Sequence, residues 1–201
     1  MTAEVDLAAA ALRAGKLAVV PTDTVYGLAA SPEEAPARRL YKAKGRDAKQ
    51  PTALVVSSLE TLLERFPELH GRAAERVARA LLPGPYTLVV PNPARRYPWL
   101  TGGSPDAIGV RVPKVTGPAH ELLDRVGALT ATSANLPGGP DPRTLAEVPD
   151  EIRRAADVLL DGGELTGTPS TVLDLTGAEP RVLREGAVPA AEALHLVAPL
   201  L

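Results

Sequence analysis

The 201-residue chain contains no cysteine, which excludes disulfide bridges, thiolate metal sites and cysteine nucleophiles together. The same absence is consistent with the reducing cytosol, so we expect a cytoplasmic protein. Aromatic residues make up only 3% of the chain, and this disfavours nucleic-acid binding by stacking on exposed rings. Because the formal net charge is −2, any site for an anion must come from a local cluster of cations.

Long apolar runs are missing as well. No stretch approaches the ~20 residues needed to span a bilayer, so we expect a soluble chain that does not associate with membranes. The first residues, MTAEVDLAAAALRAGK, include Glu4 and Asp6 and lack the basic start of a signal peptide, and they are typical of a helix. Hydrophobic residues account for 45% of the composition, enough for a core. The length predicts a single domain over residues 1–201.

Short β-branched runs alternate along the chain with segments of helical periodicity. The predicted strands are residues 17–20, 53–56, 86–90, 108–112, 129–131, 158–160, 171–175 and 182–183. The predicted helices between them are residues 35–44, 59–66, 72–82, 117–126 and 145–156. Ser58 is placed to cap the helix that follows it. This order predicts an α/β domain with a twisted, mixed open sheet flanked by helices.

A group of hydroxyls follows the first predicted strand. The stretch PTDTVYGL at residues 21–28 places Thr22, Asp23, Thr24 and Tyr26 directly after an apolar run. Such a segment is typical of a turn, in which short polar side chains bond the backbone. It is equally typical of the wall of a pocket for a small polar ligand. The residues alone leave both interpretations open.

A cluster of cations lies between residues 38 and 49, with Asp47 as the one acid. Lys42 and Arg46 lie one turn apart if the helix continues, whereas Lys44 and Arg46 share a face if the chain is extended. Either geometry directs two cations at one place, which suits a polyphosphate. A solvated helix end, with cations near the negative end of the helix dipole, explains the charges equally well. The six cations are Arg38, Arg39, Lys42, Lys44, Arg46 and Lys49.

Other polar side chains lie at the ends of predicted strands, where open α/β sheets bind ligands. In GVRVP, Arg111 alternates with two valines and therefore faces a cleft or solvent, and in RVLREGAV, Arg184 follows a short strand. TATSAN (130–135) and GTPSTVLDL (167–175) supply small donors and acceptors, although ordinary turns explain each of them when it is taken alone. The small polar candidates are Thr132, Ser133, Asn135, Thr168, Ser170 and Thr171.

Several catalytic devices are missing. The histidines, His70, His120 and His195, show no metal-ligand spacing, and there is no Walker loop, GxSxG or HExxH motif. We therefore expect no protein-held metal site. Cations and hydroxyls without a nucleophile suit chemistry by positioning and charge stabilisation, such as substitution at a nucleotide's phosphorus. A binding module for RNA or a nucleotide is the alternative at this level.

Seven stretches, in order, resemble motifs of the YrdC-like family of threonylcarbamoyl-adenylate synthases, and they run from about residue 17 to residue 188. They are PTDTVYGL, YKAKGR, PGPYT, GVRVP, TSAN, STVLD and LREGAV. The resemblance implies a large, basic, concave cleft on a twisted sheet. It also implies conversion of L-threonine, bicarbonate and ATP to threonylcarbamoyl-AMP and pyrophosphate. A separate transferase would then modify adenosine in tRNA, and direct tRNA binding stays open.

The same resemblance implies ligand contacts for individual residues. The ATP contacts would be Lys42, Lys44, Arg46, Thr132, Ser133, Asn135 and Arg184. The threonine contacts would be Thr24, Tyr26, Arg111 and Ser170. Lys44 and Arg46 are the expected catalytic residues because they offset charge on the leaving pyrophosphate, and Arg111 suits the amino-acid carboxylate. Mg²⁺ is expected on the ATP, held mainly by phosphates and water.

The chain also departs from the family pattern. Asp47 stands where relatives usually have proline, which places a carboxylate beside the expected phosphate clamp unless Lys49 balances it. Asp23 has no assigned role; it either caps its turn or orients the ligand's amine. The chain ends soon after LREGAV, as expected for the short, single-domain form. The alternative functions are an RNA-binding protein of the same fold and a carbamoyl-phosphate-activating domain, whose zinc cysteines are absent here.

Overall fold

The computed structural model describes residues 2–47 and 49–201. The strands are β1 (Ala18–Val20), β2 (Gly27–Ala30), β3 (Ala53–Val56), β4 (Tyr86–Pro91), β5 (Ala107–Arg111), β6 (Ala128–Ser133), β7 (Val158–Leu159), β8 (Thr171–Asp174) and β9 (Arg181–Arg184). The helices are α1 (Thr2–Arg13), α2 (Glu34–Lys44), α3 (Leu59–Arg65), α4 (Ala73–Leu81), α5 (Gly117–Val126), α6 (Asp150–Ala155) and α7 (Ala190–Val197). Short 3₁₀ turns lie at Pro67–Leu69, Pro98–Leu100, Leu145–Glu147 and Ala198–Leu200.

The strands form one sheet in the order β7-β1-β2-β6-β3-β5-β4-β8-β9. Its pairing is mixed: β1/β7, β3/β5 and β4/β8 run parallel, and the other five pairs run antiparallel. The expected mixed α/β architecture is therefore confirmed. No helix within the described ranges is long and apolar enough to cross a bilayer.

The strand predictions agree with the structure except at one strand. Each predicted strand overlaps an observed one, but β2 was missed because its sequence, GLAA, has low β propensity. All four β2 residues are buried, and they pair with β1 on one side and β6 on the other. Two sheet neighbours and complete burial thus override the local preference of these residues.

The helix predictions need two corrections. The single helix expected at 145–156 is two pieces, a 3₁₀ turn and α6, with Pro149 as the N-cap of α6. Proline disfavours helical geometry in the residue before it, which explains the break. Helix α7 was not predicted at all. The cap on α3 is confirmed, since the backbone N–H of Thr61 donates to Ser58 Oγ over 3.0 Å.

The four adjacent strands β3, β5, β4 and β8 have two different faces, because side chains alternate along a strand. One face presents fully buried aliphatic residues to α3, α4 and α7, including Leu54, Leu88, Val110 and Leu173. We call this the core face. The opposite face presents smaller residues, including Ala53, Thr87, Gly109 and Val172, to an open cavity. We call this the cavity face.

Helices cover both faces at the other end of the sheet. On one side, α1 and α5 pack on β1 through a cluster that includes Leu12, Val20 and Leu122. On the other side, α2 and α6 pack through a cluster that includes Leu40 and Ile152. The cavity therefore lies over the part of the sheet that one helical layer leaves uncovered.

Candidate substrate-binding site

The cavity face forms the floor of a cavity of about 810 Å³, which we call the main cavity. Sites for small molecules and cofactors typically measure about 300–1,000 Å³, so the volume suits a nucleotide-sized ligand. The only carboxylate in its described lining belongs to Asp174. The cations in the lining are Arg46, Lys49, Arg111, Arg181 and Arg184.

Small residues keep the floor of the main cavity low. A Cβ atom added to Gly109 would lie 3.6 Å from Thr87 Cγ2 and 3.8 Å from Ala53 Cβ, which are ordinary contact distances. A small side chain would therefore fit at this position, and glycine leaves that space open to the main cavity. Ala131 and Gly27, on the next strands, extend the same low surface.

The PTDT turn forms one wall of the main cavity. The Thr22 hydroxyl accepts the N–H groups of Thr24 and Val25, both over 3.2 Å, and donates to Val25 O over 2.7 Å. These bonds fix the turn from within. Thr24 is buried, its hydroxyl accepts a hydrogen bond from Arg111 Nη2 over 2.8 Å, and both residues line the main cavity. The segment is therefore a turn whose Thr22 and Thr24 also line the main cavity.

Arg111 lies at the end of β5 and is paired with Asp23. The two side chains are only 11% and 7% exposed, and Arg111 Nη2 donates to Asp23 Oδ1. Burial lowers the pKa of Arg111 from its ordinary value, and the Asp23 carboxylate opposes that change. Arg111 Nε is buried without a hydrogen-bond partner in the described part of the chain. An unpaired buried donor is costly to the fold.

A second wall joins Ser170, Thr87 and Arg184. The hydroxyls of Ser170 and Thr87 are 2.8 Å apart, and Arg184 Nη2 donates to Ser170 O over 2.7 Å and to Ser170 Oγ over 3.2 Å. The segment after Arg184 is tied to the same place, because Thr171 Oγ1 accepts the N–H groups of Gly186 and Val188. The STV and LREGAV motifs therefore build one rim together.

Arg46 enters the main cavity from the end of α2. Helix α2 ends at Gly45, whose left-handed backbone (φ 64°) turns the chain so that Arg46 points away from the helix. Its Nη1 donates to Thr132 Oγ1 over 2.9 Å and its Nη2 to Pro51 O over 2.7 Å. Burial lowers the pKa of Arg46, and the charge of Arg184 lowers it further. Within residues 2–47 and 49–201, its buried Nε has no partner.

Lys44 lies only two residues before Arg46, but its side chain is not part of the lining of the main cavity. Its side chain is buried, and its ammonium donates to Ser133 O over 2.6 Å and to both the backbone O and Oδ1 of Asn135. Asn135 Oδ1 also accepts from Ser133 Oγ over 2.7 Å, and its amide donates to Gly139 O over 2.6 Å. Burial, followed by the charge of Arg46, lowers the pKa of Lys44 to about 8. Lys44 thus fastens the TSAN segment to α2.

The structure brings together seven of the eleven residues for which the sequence predicted ligand contacts. Those in the lining of the main cavity are Thr24, Arg46, Arg111, Thr132, Ser133, Ser170 and Arg184. Lys44 and Asn135 lie behind that lining, in the network just described. Lys42 is exposed on α2 and is not part of the lining.

Tyr26 also lies away from the main cavity. Its ring is fully buried in the cluster beneath α2 and α6. Its hydroxyl is 2.9 Å from Asp161 Oδ1 and 2.8 Å from Gly163 O, and it accepts the Gly162 N–H over 2.9 Å. Burial is the largest of the effects that raise the pKa of Tyr26 to about 12. Its side chain therefore supports the PTDT turn from behind.

The lining also includes charged and polar residues for which the sequence predicted no role, among them Thr87, Asp174 and Arg181. Thr87 and Asp174 alternate with the buried Leu88 and Leu173, so strand periodicity places both on the cavity face. Asp174 is engaged by Arg181 Nη2 over 2.6 Å and by the Thr176 hydroxyl over 2.6 Å. Within the described ranges, no group of three or more His, Asp or Glu side chains is arranged to hold a metal ion.

Comparison with known proteins decides the family. The Sua5/YciO/YrdC family model, described as "Telomere recombination", matches residues 10–186. The chain belongs to the Sua5/YciO/YrdC family. Its predicted resemblance to the YrdC-like family is therefore confirmed.

Two curated relatives in this family are named threonylcarbamoyl-AMP synthase. The Pyrococcus abyssi protein is 37% identical over 199 residues, which cover 94% of this chain and 56% of the relative. The Stenotrophomonas maltophilia protein is 34% identical over 168 residues, which cover 78% of this chain and 85% of the relative. The chain thus spans about half the length of the first relative and most of the second.

Among solved structures, P. abyssi Sua5 complexed with L-threonine has a similar fold. Its TM-score is 0.83 at 36% identity, and the match covers 96% of this chain and 56% of that one. The fold that carries the main cavity is therefore the fold of a family member that binds L-threonine.

Proposed function

We propose that the chain is an L-threonylcarbamoyladenylate synthase, which converts L-threonine, bicarbonate and ATP to threonylcarbamoyl-AMP and pyrophosphate. The observation that carries the proposal is the main cavity itself. It places Arg111 and the two cations Arg46 and Arg184 in the lining of one cavity. A carboxylate and a polyphosphate can therefore bind in the same space.

Threonine is proposed to bind at the wall formed by the PTDT turn. Arg111, which lines the main cavity, meets the amino-acid carboxylate through Nη1, a charge-assisted contact. The hydroxyls of Thr24, in that wall, and of Ser170, in the second wall, both line the main cavity and are able to bond the polar groups of a small amino acid. The L-threonine found in P. abyssi Sua5 supports this proposal.

ATP is proposed to bind with its phosphates between Arg46 and Arg184. The two guanidinium groups repel each other, since the charge of Arg184 lowers the pKa of Arg46, and an anion between them relieves that repulsion. Ser133 and Thr132 supply contacts from the end of β6. Lys44 and Asn135 contribute by holding that strand end in place rather than by lining the cavity.

The proposed chemistry needs positioning more than acid–base catalysis. The neutral amine of threonine attacks carbon dioxide derived from bicarbonate and becomes a carbamate; the proton that leaves the nitrogen and the hydroxide left from bicarbonate form water. A carbamate oxygen then attacks the α-phosphorus of ATP, the bond from that phosphorus to the bridging oxygen breaks, and pyrophosphate leaves. Arg46 offsets the charge that develops on the leaving group, which lowers the barrier electrostatically.

The described residues fit a magnesium ion that arrives with the substrate. Asp174, the one carboxylate in the lining, already accepts bonds from Arg181 and Thr176. Mg²⁺ commonly keeps several waters and binds substrate phosphates, so a protein cage is not required. The ion would add charge compensation on the phosphates.

The product would be used in the cytoplasm, where a separate transferase attaches the threonylcarbamoyl group to adenosine in tRNA. A mixed anhydride of this kind is hydrolytically labile, and a transferase is the class of enzyme able to consume it. Direct tRNA binding is not required by this role. The net charge of −2 and the 3% of aromatic residues argue against RNA as the primary ligand.

The decisive experiment follows pyrophosphate release from ATP and Mg²⁺ by the purified chain. The proposal requires that release depend on both L-threonine and bicarbonate. Equal release without threonine, or no release under any condition, contradicts it. Arg46→Met is expected to lower kcat/KM for ATP about 100-fold, because it removes a charge from the phosphate site. Arg38→Met is the matched control, because Arg38 is an exposed cation on α2 paired with Glu34.

A further inference from the structure

Asp23 is a buried carboxylate between two parts of the main-cavity wall. Its side chain is 7% exposed, and it does not belong to the lining of the main cavity. Oδ1 accepts from Arg111 Nη2, and Oδ2 accepts the backbone N–H of Lys114 over 2.9 Å. Both oxygens are therefore engaged by the protein, which disfavours the expectation that Asp23 orients a ligand's amine.

Arg111 depends on this carboxylate for its orientation. Within residues 2–47 and 49–201, its guanidinium makes hydrogen bonds only through Nη2, to Asp23 and to the hydroxyl of Thr24. Of the other two nitrogens, Nε is buried, so Nη1 is the donor left to meet a ligand in the main cavity, which Arg111 lines. The positive charge of Arg184 also acts on Arg111. Without Asp23, one neutral hydroxyl would have to hold a long cationic side chain against that repulsion.

We propose that Asp23 is a positioning residue: it holds the Arg111 guanidinium so that Nη1 faces the carboxylate of the amino-acid substrate. The Asp23–Lys114 bond extends this role, since it ties the turn to the chain that leaves β5. A guanidinium whose Nη2 is fixed by two partners presents Nη1 at a defined place, which favours a charge-assisted contact with a carboxylate there. This inference rests on the proposed function.

The direction in which one substitution changes the affinity for L-threonine distinguishes a positioning role from a simple effect of charge. Asp23→Asn removes a negative charge near the main cavity, and by Coulomb attraction alone the more positive site would bind an anionic substrate more tightly. Positioning predicts the opposite, because the freed guanidinium must be ordered again when the substrate binds. Asn keeps the size of the side chain, so the comparison isolates the charged contact.

The test measures L-threonine binding to the full chain by titration calorimetry, together with steady-state pyrophosphate release. Asp23→Asn is expected to weaken L-threonine binding about tenfold and to raise its KM by a similar factor. The kcat and the KM for ATP should change less than about threefold, since Arg46 and Arg184 are untouched. In an Arg111→Gln background, Asp23→Asn should cause no further loss, because its effect passes through Arg111.

Asp6→Asn is the matched control, since Asp6 pairs with Arg125 over 2.8 Å and joins α1 to α5 on the surface, 61% exposed. It should leave all the constants unchanged. If Asp23→Asn does not fold, Asp23→Glu keeps the charge and displaces the carboxylate by one methylene, and weaker threonine binding at an unchanged ATP KM is again expected. Threonine affinity that is unchanged or tighter in these variants overturns the proposal. A wild-type chain that neither binds L-threonine nor releases pyrophosphate overturns the proposed function instead, and the role of Asp23 with it.

Discussion

The core face and the cavity face of β3, β5, β4 and β8 are made by the same four strands, yet they carry opposite kinds of residue. The core face has Leu54, Leu88, Val110 and Leu173, all fully buried. At the neighbouring positions, the cavity face has the smaller residues Ala53, Thr87, Gly109 and Val172.

The difference shows how one sheet serves stability and binding separately. Large aliphatic side chains that interdigitate with α3 and α4 bury apolar area, the main favourable contribution to folding. Small residues on the other face bury little, but they leave space in which a ligand can lie against the sheet. We therefore expect substitutions on the core face to change the free energy of unfolding, and substitutions on the cavity face to change activity.

The largest expected effect comes from a pair of neighbours on β4. Leu88→Ala on the core face should lower the free energy of unfolding by about 2–5 kcal/mol, because it leaves a cavity among buried side chains. Val89→Ala on the cavity face should cost less than half as much, because Val89 already borders open space. Urea denaturation of both variants measures the contrast. Equal losses would mean that the two faces do not differ in this way.

The next prediction concerns a substitution on the cavity face that should change activity much more than stability. Gly109→Val fills space on the floor, and since a Cβ there meets its neighbours at ordinary distances, the fold should tolerate it. We expect a free energy of unfolding within about 1 kcal/mol of wild type, as glycine is itself unfavourable in a strand. The kcat/KM for pyrophosphate release should fall about 30-fold, because the side chain occupies substrate volume. A variant that is unstable but fully active would contradict both halves of this prediction.

A smaller effect is expected from Thr87→Val, which keeps the shape of the side chain and removes its hydroxyl. The Ser170 hydroxyl then loses the partner at 2.8 Å and keeps only the longer bond from Arg184. Because the Ser170 hydroxyl is then less firmly oriented, kcat/KM should fall about fivefold, which corresponds to the free energy of about one neutral hydrogen bond. Thr61→Val, at a hydroxyl beside the α3 cap, is the control, and its activity should match wild type. Unchanged activity of Thr87→Val would remove this wall from the proposed site.

Strand periodicity made much of the fold predictable. Eight strands carry β-branched or aliphatic runs whose alternation survives in the structure, and Gly117–Val126 was predicted with the observed bounds. Strand β2 was not predictable in this way, because Gly27 and two alanines become a strand only through pairing with β1 and β6. Long-range pairing of this kind leaves no trace in local propensity.

The candidate site was predictable as a set of segments but not as a set of orientations. Tyr26 directly precedes β2 and Arg111 ends β5, yet Tyr26 points into the core and Arg111 into the main cavity. Lys44 and Arg46 differ in the same way, since Gly45 reverses the chain between them. A left-handed residue between two cations changes which face each of them meets, and spacing alone does not reveal it.

The smallest effect concerns Lys44, which lies behind the lining of the main cavity, and appears only in the pH dependence of stability. Its pKa is lowered from 10.5 to about 8, chiefly by burial. Between these values the unfolded chain keeps the proton and the folded chain does not, so this group makes stability rise with pH across the window and adds no slope below it. The contribution of Lys44 is the difference in slope between wild type and Lys44→Met, from denaturation at several pH values from about 7.5 to about 10. Lys42→Met, an exposed lysine of the same helix, controls for the lost charge. A wild-type slope in Lys44→Met would show that the ammonium stays charged, held by the Ser133 and Asn135 oxygens.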